Sequence, residues 1–247
     1  MKGINNMIRV LVNGCNGKMG KVLRQYITTT PDIVYTYGID RNENFSFSDI
    51  VLKPDVIIDF SVPEATFQAL EYASSHLVPI VIATTGFSES ELLKIQEYSE
   101  AIPIFQSSNM SYTIHLLHKI VGEMAPFLCD TDIEIIEKHH HSKKDSPSGT
   151  AISLANTINE SCENRYHYVF NRSDRKEARN KNEIGFSSIR GGNLVGEHSV
   201  LFIGEYETIE LHHISYARTV FAEGAIRAAR FITTQKSGLF HMNDLLH

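Results

Sequence analysis

The residues best suited to chemistry are crowded into one stretch, Glu134-Ile-Ile-Glu-Lys-His-His-His-Ser-Lys-Lys-Asp-Ser-Pro-Ser-Gly-Thr150. Three histidines and two lysines, His139 to His141 with Lys143 and Lys144, fall within six positions. Imidazole exchanges protons near neutral pH, and an ammonium group gives a proton or holds a carboxylate. Positions 133–135 alternate apolar and polar, as in a half-buried strand. After the histidines come Pro147-Ser148-Gly149-Thr150, where Ser148 can cap a helix carrying Ala151, Leu154, Ala155 and Ile158. A helix start presents backbone N–H groups to an anion. A strand that delivers proton-transfer groups beside such a start is a layout for a small dianionic acid. The rival reading is a metal site. Adjacent strand residues point to opposite faces, so three histidines in a row do not converge on one ion, and no cysteine lies nearby to complete a zinc set. No metal is expected. Glu134 and Glu137 are read as strand carboxylates that brace the loop.

A second constellation lies near the start. A short apolar run at 8–12 ends on Asn13-Gly14, and Met19, Val22, Leu23, Tyr26 and Ile27 follow at helical spacing. Between them stands Gly14-x-x-Gly17-x-x-Gly20, close to the dinucleotide-binding turn, in which glycines let the backbone approach a pyrophosphate at a helix N-terminus. Ordinary strand–helix turns also contain such triplets. A second strand at 33–39 ends on Asp40, about the 20 residues further on that the nucleotide reading requires. Asp40 favours the free 2′-hydroxyl of NAD, whereas Arg41 can hold the 2′-phosphate of NADP. With Lys18 in the turn as well, NADH or NADPH is expected, leaning to NADH. The plain alternative has Arg41 pointing into solvent.

These residues need elements to position them. Strands at 55–60, 78–83 and 102–106 alternate with helices at 63–75 and 89–101, which argues for a parallel sheet covered on both faces. Ligands bind beyond the carboxyl ends of such strands. Ser61, Thr84-Thr85-Gly86 and Ser107-Ser108-Asn109-Met110 stand there. A long helix follows at 110–128, with His115 and His118 one turn apart and read as packing residues. Beyond a helix at 149–162 the chain becomes β-rich at 166–170, 184–190, 193–203 and 207–214, with turns at Arg190-Gly-Gly-Asn193 and Gly204-Glu205. No helix-length pattern separates the last three segments, so they are expected to pair mainly antiparallel. His212-His213 is read as sheet surface. A helix at 221–233 precedes a tail, 238–246, apolar enough to dock. The expected fold is α/β: an N-terminal Rossmann-like parallel sheet plus an α+β domain with a mainly antiparallel sheet.

Composition narrows the function classes. The net charge of -6 argues against a general nucleic-acid binder, and the one basic cluster, 172–181, is interrupted by Asp174 and Glu177. No apolar run approaches the roughly 20 residues of a membrane helix. Arg9 interrupts the short apolar run near the start, so no signal peptide is expected. Cys15, Cys129 and Cys162 are odd in number and scattered, which suggests free thiols in a reducing compartment. A soluble, cytoplasmic protein is expected, with no membrane partner.

The run E-I-I-E-x-H-H-x-x-K-x-D-x-P-S-G-T-A over 134–151 resembles the signature of the 4-hydroxy-tetrahydrodipicolinate reductase (dihydrodipicolinate reductase) family. The likeness extends to Gly14-Cys-Asn-Gly-Lys-Met-Gly20, Ala83-Thr-Thr-Gly86 and Phe221-Ala-Glu-Gly-Ala-Ile226, and so to essentially the whole chain. The resemblance implies an NAD(P)H-dependent reductase of the diaminopimelate and lysine route acting on a small dicarboxylate. It implies His139 as acid/base, Lys143 as second proton donor, and His140, Gly149 and Thr150 as substrate contacts, with His141 a bystander. Cofactor contacts would come from Gly14, Cys15, Asn16, Gly17, Lys18, Met19, Asp40, Arg41, Ala83, Thr84, Thr85, Ser107, Ser108, Asn109 and Met110. The family more often has glycine at position 83 and alanine at 107. It further implies a cofactor domain at 1–109 and 218–247, a substrate and tetramerisation domain at 110–217, and a homotetramer. The alternatives are another two-domain nicotinamide dehydrogenase, for example for an amino acid or sugar, and a non-catalytic nucleotide-binding protein.

Overall fold

The computed structural model describes residues 7–42, 44–173 and 175–246, so Asp174 lies outside the described residues. In chain order the elements are β1 (Ile8–Asn13), α1 (Lys18–Ile27), β2 (Ile33–Ile39), β3 (Val56–Asp59), α2 (Pro63–His76), β4 (Ile80–Ile82), α3 (Glu89–Ser99) and β5 (Pro103–Gln106). There follow α4 (Tyr112–Leu128), β6 (Asp132–His139), α5 (Gly149–Ser161), β7 (His167–Val169), β8 (Glu183–Arg190), β9 (Gly196–Ile203), β10 (Thr208–Ser215), α6 (Thr219–Ile232) and β11 (Gly238–Phe240). They form two compact units, Met1–Tyr112 with Arg218–His247, and Thr113–Ala217.

The first unit is a parallel sheet in the order β11-β5-β4-β3-β1-β2. Its strands are apolar at consecutive positions because both faces are covered. Val10, Val12, Val56 and Ile58 pack with the Leu23 face of α1 and the alanine-rich face of α6. Leu11, Ile57, Ile80 and Ile82 turn the other way, onto Ala69, Leu70 and Ala73 of α2 and Ile95 of α3. Local chemistry sets the helix ends. Pro63 occupies the first turn of α2, and Ser88 with Glu91 closes a capping box on α3. The tail expected to dock does so as a strand, with β11 parallel to β5. Helix α6 packs with its backbone against the chain: a Cβ on Gly224 would fall 1.6 Å from the carbonyl oxygen of Met110.

The second unit is a sheet in the order β10-β9-β6-β8-β7, covered on one face by α4 and α5 through Ile114, Leu117, Val121, Leu154 and Ile158. The sheet is mixed. β10–β9 and β9–β6 are antiparallel, while β6–β8 and β8–β7 are parallel. The expectation that β8 would pair with β9 is therefore corrected: β6 lies between them. The link at 191–195 does not close a hairpin but arches over the end of β6. There the Gly191 amide donates to the His139 carbonyl at 3.0 Å, and the His141 amide donates to the Gly192 carbonyl at 3.2 Å. A second correction concerns the cysteines. Cys129 and Cys162 form a disulfide, and Cys15, which is buried, is outside it. Cys129 follows the last turn of α4 and Cys162 caps α5, so two helices packed on one face bring together residues 33 apart in sequence.

Candidate active site

In the first unit the strand β1 ends in a turn built for close approach. Gly14 has φ +78°, and a Cβ there would lie 2.5 Å from the Phe60 carbonyl oxygen. A Cβ on Gly20 would lie 2.1 Å from the Gly14 carbonyl oxygen, so α1 begins tight against the strand end. The Asn16 amide donates to Asp40 Oδ2 at 3.1 Å, which ties the end of β2 to the turn. Gly14, Asn16, Gly17, Asp40 and Arg41 line one cleft of about 530 Å³, together with Phe45, Phe60, Ser61 and Gln68, which sequence reasoning did not single out as a group. The glycine cradle and a cleft of this size fit the pyrophosphate and adenosine end of a nicotinamide dinucleotide.

The remaining first-unit candidates are placed unevenly. Lys18 is exposed and Met19 half-buried at the start of α1. The Cys15 and Met110 side chains are buried in the core, so only their backbones can face a ligand. Ala83 and Thr85 stand just past β4, and Thr84 is buried there, donating to Asp59 at 2.8 Å. Beyond β5, Ser107 donates to the Asn109 carbonyl at 2.7 Å, the Asn109 side chain accepts from the Ser111 amide at 2.9 Å, and Ser108 is exposed.

The second unit assembles its groups around the end of β6. Alternation along that strand turns Ile133, Ile135, Glu137 and His139 inward. Ile133 and Ile135 fill the core, whereas Glu137 is fully buried and ionic. Its carboxylate accepts from Arg190 Nη1 at 2.8 Å and Nη2 at 2.7 Å, from the Ser148 amide at 3.1 Å, and pairs with His139 Nδ1 at 2.5 Å. Burial pushes its pKa up, but hydrogen bonds from Arg190, Ser188 and His139 overcome that and hold it down at about 2. His139 sits below its ordinary value through burial and the nearby charges of Lys143 and Arg190, with Glu137 working in the opposite sense.

Lys143 follows in the loop, its amide donating to the His140 carbonyl at 3.1 Å and its ammonium pairing with Asp145 at 2.8 Å. His140 Nδ1 lies 2.8 Å from Ser142 Oγ. Ser148 caps α5 by accepting from the Ala151 amide at 3.2 Å, and its hydroxyl also meets His198 Nε2 at 3.0 Å. His198 is 4% exposed and burial pushes its pKa down to about 3, so it is neutral. Gly149 and Thr150 stand between the two amides already engaged, those of Ser148 and Ala151. Arg190, His198 and Gly196 were not read from the sequence. An inward-facing glutamate on a strand was the available sign, because a buried carboxylate requires a cationic partner. Among the described residues no cluster of three or more His, Cys, Asp or Glu side chains could hold a metal.

This arrangement pairs a proton-transfer imidazole and an ammonium with a helix start, and it has relatives among known proteins. The family description "Dihydrodipicolinate reductase, N-terminus" matches residues 8–110, and "Dihydrodipicolinate reductase, C-terminus" matches 113–246. The chain is similar to 4-hydroxy-tetrahydrodipicolinate reductase of Caldanaerobacter subterraneus subsp. tengcongensis, 44% identical over 97% of this chain and 98% of that protein. It is 42% identical to the protein of the same name from Clostridium novyi, over 97% and 98% of the two chains. Among solved structures, it resembles a dipicolinate-bound dihydrodipicolinate reductase from Paenisporosarcina sp. TG-14 with a TM-score of 0.78 and 25% identity, covering 96% of this chain and 99% of that one.

Proposed function

The chain belongs to the dihydrodipicolinate reductase family and is an NAD(P)H-dependent oxidoreductase of the diaminopimelate and lysine route, and we propose that His139, Lys143 and the start of α5 carry its chemistry. The reaction is reduction of 4-hydroxy-tetrahydrodipicolinate to tetrahydrodipicolinate. The bound nicotinamide supplies hydride to ring carbon 4, with loss of water. The cofactor is held by the glycine turn and by Asp40 and Arg41, with Lys18, Met19, Ala83, Thr84, Thr85 and the 107–110 segment completing its contacts. Asp40, tied to the turn through the Asn16 amide, favours a ribose with a free 2′-hydroxyl, so NADH is the better reductant.

Hydride arrival leaves the substrate electron-rich, and a positioned acid must supply a proton. His139 fills that role, and Lys143 serves the nitrogen side of the ring. A helix start is worth only about 0.3–2 kcal/mol per anion, so α5 orients the dicarboxylate through Gly149 and Thr150 while Lys143 and His140 supply charge and hydrogen bonds. The observation that carries this reading is the ion-tied imidazole of His139 on the strand whose Glu137 also holds the amide of Ser148, the residue that caps α5. The second unit also supports assembly. Its edge strand β10 exposes Ile209 and Ile214, apolar surface that a homotetramer would cover. Among the described residues no helix is long and apolar enough to cross a membrane, and a cytoplasmic location suits the route.

Steady-state rates in an assay coupled to dihydrodipicolinate synthase, with NADH and NADPH in turn, test the reading. Turnover with both reductants and a higher kcat/KM for NADH is expected. Oxidation of NADH with other keto acids, but not with the synthase product, would overturn it.

A further inference from the structure

We infer that Glu137 is a positioning residue that aligns both halves of the substrate site at once, holding the His139 ring through Nδ1 and the start of α5 through the Ser148 amide. The inference rests on His139 being the acid/base of the proposed reaction. Three observations carry it. Glu137 continues the inward row of Ile133 and Ile135, a place where an apolar residue would serve the core better than a fully buried carboxylate. Its two oxygens divide the work. Oε2 takes His139 Nδ1 at 2.5 Å and Arg190 Nη1 at 2.8 Å, and Oε1 takes the Ser148 amide at 3.1 Å and Arg190 Nη2 at 2.7 Å. On the far side of the ring, His139 Nε2 faces Gly196, where an added Cβ would come within 3.1 Å.

The consequence is a fixed tautomer. With Nδ1–H donated to the carboxylate, Nε2 is the nitrogen that works on substrate. In the forward step the imidazolium gives its Nε2 proton to the reduced substrate and becomes the neutral Nδ1–H tautomer. Glu137 stays ionised throughout, because Arg190 holds it so. An ion pair that merely fastened the 191–195 arch would require neither the contact to the ring nor the contact to α5. The groups facing His139 are Glu137 on its own strand, Arg190 on β8, His198 on β9 at a ring separation of 5.2 Å, and Lys143 in the following loop.

The test compares E137Q with wild type in the coupled assay, alongside NADH affinity and nitrogen-15 NMR of the His139 ring. E137Q is expected to lose roughly 10²-fold in kcat, inside the 10²–10⁴-fold range of the acid itself, with NADH affinity unchanged. The His139 signal should move from the pure Nδ1–H tautomer to a mixture. The high-pH limit of kcat should shift to lower pH, since the anion that favours the imidazolium is gone. If E137Q does not fold, the double variant E137Q/R190M, which removes the cationic partner too, is read in the same way. Near wild-type kcat with an unaltered tautomer in either folded variant overturns the inference. If H139Q itself retains full activity, the proposed function fails first, and the two failures are thereby distinguished.

Discussion

Among the described residues each unit seals one carboxylate completely from solvent, and the two are held in opposite ways. Asp59, at the end of β3, is 0% exposed and accepts only from neutral groups: Asn13 Nδ2 at 2.9 Å, Ser61 Oγ at 2.5 Å, Thr66 Oγ1 at 2.6 Å and Thr84 Oγ1 at 2.8 Å. Burial dominates there and pushes its pKa up. Glu137, also 0% exposed, is paired with Arg190 and His139, and its pKa is held down at about 2. Neutral donors fix geometry without compensating the charge, whereas a cation compensates it. In the nucleotide unit, Asp59 gathers the ends of β1, β3 and β4 and the start of α2, and so shapes the cleft that Asn13 and Ser61 line. In the other unit the carboxylate keeps its negative charge beside the His139 imidazole, the group that the proposed reaction requires to cycle a proton. One acid is a fastening, the other an electrostatic device.

The largest separation between the units should come from removing the imidazole that Glu137 serves. H139Q is expected to lower kcat by about 10²–10⁴-fold while leaving NADH affinity nearly intact, since the glycine turn belongs to the other unit. Fluorescence titration with NADH beside the coupled assay checks both halves. Weakened cofactor binding with normal turnover would reverse the assignment. K143A should impair rate and substrate KM together, and an effect on neither would remove Lys143 from the site.

Next in size is the ion pair. R190A strands a buried carboxylate with no cation, and breaking such a pair is expected to cost about 3–5 kcal/mol of stability in urea unfolding. A loss below about 1 kcal/mol would mean that His139 and the Ser148 amide suffice to hold Glu137, and the contrast with Asp59 would collapse.

Why Asp59 and Glu137 differ was only partly legible in the sequence. The nucleotide unit was readable because its signals are local: apolar runs, helical spacing, a glycine triplet, and Asp40 at a fixed distance beyond it. The second unit is decided by distant pairing. β6 inserts between β8 and β9, so Arg190 stands opposite His139 in register although 51 residues separate their numbers. No periodicity encodes that order, which is why Arg190, Gly196 and His198 were missed and the last three β segments were expected to pair with one another. The Cys129–Cys162 pairing was hidden for the same reason, because it depends on two helix ends lying side by side. The stretch 134–150 itself stood out because strand, histidines and lysines, and helix cap are contiguous.

Acid titration sharpens the contrast without changing a contact. Glu137 has a folded pKa of about 2, below its ordinary value of 4.5, so it stabilises the fold above pH 4.5. That contribution, about 3 kcal/mol for such a shift, is lost as pH falls from 4.5 through about 2. In E137Q the corresponding loss across that window should vanish from urea midpoints measured against pH. A curve that still falls as steeply as wild type would place the acid sensitivity elsewhere.

Asp59 should bend the same curve the other way, by the smallest amount. Its pKa is raised above the ordinary 3.8, so the folded state holds its proton more tightly than the unfolded chain does. Stability from this group is therefore greatest below pH 3.8 and declines as pH rises toward the raised folded value. D59N removes the charge and with it the decline, so the variant should gain on wild type as pH rises. The gain is opposed locally: an amide nitrogen in place of Oδ2 faces the Thr66 and Thr84 hydroxyls, which can rotate to accept, whereas in place of Oδ1 it faces Ser61 and the Asn13 amide, which must then turn over. The net change at neutral pH is expected within about 1–2 kcal/mol, with a weaker NADH affinity if Asn13 moves and unchanged affinity if it does not. Should D59N instead lose stability steadily as pH rises, Asp59 is paired like Glu137, and the two acids are not held in opposite ways.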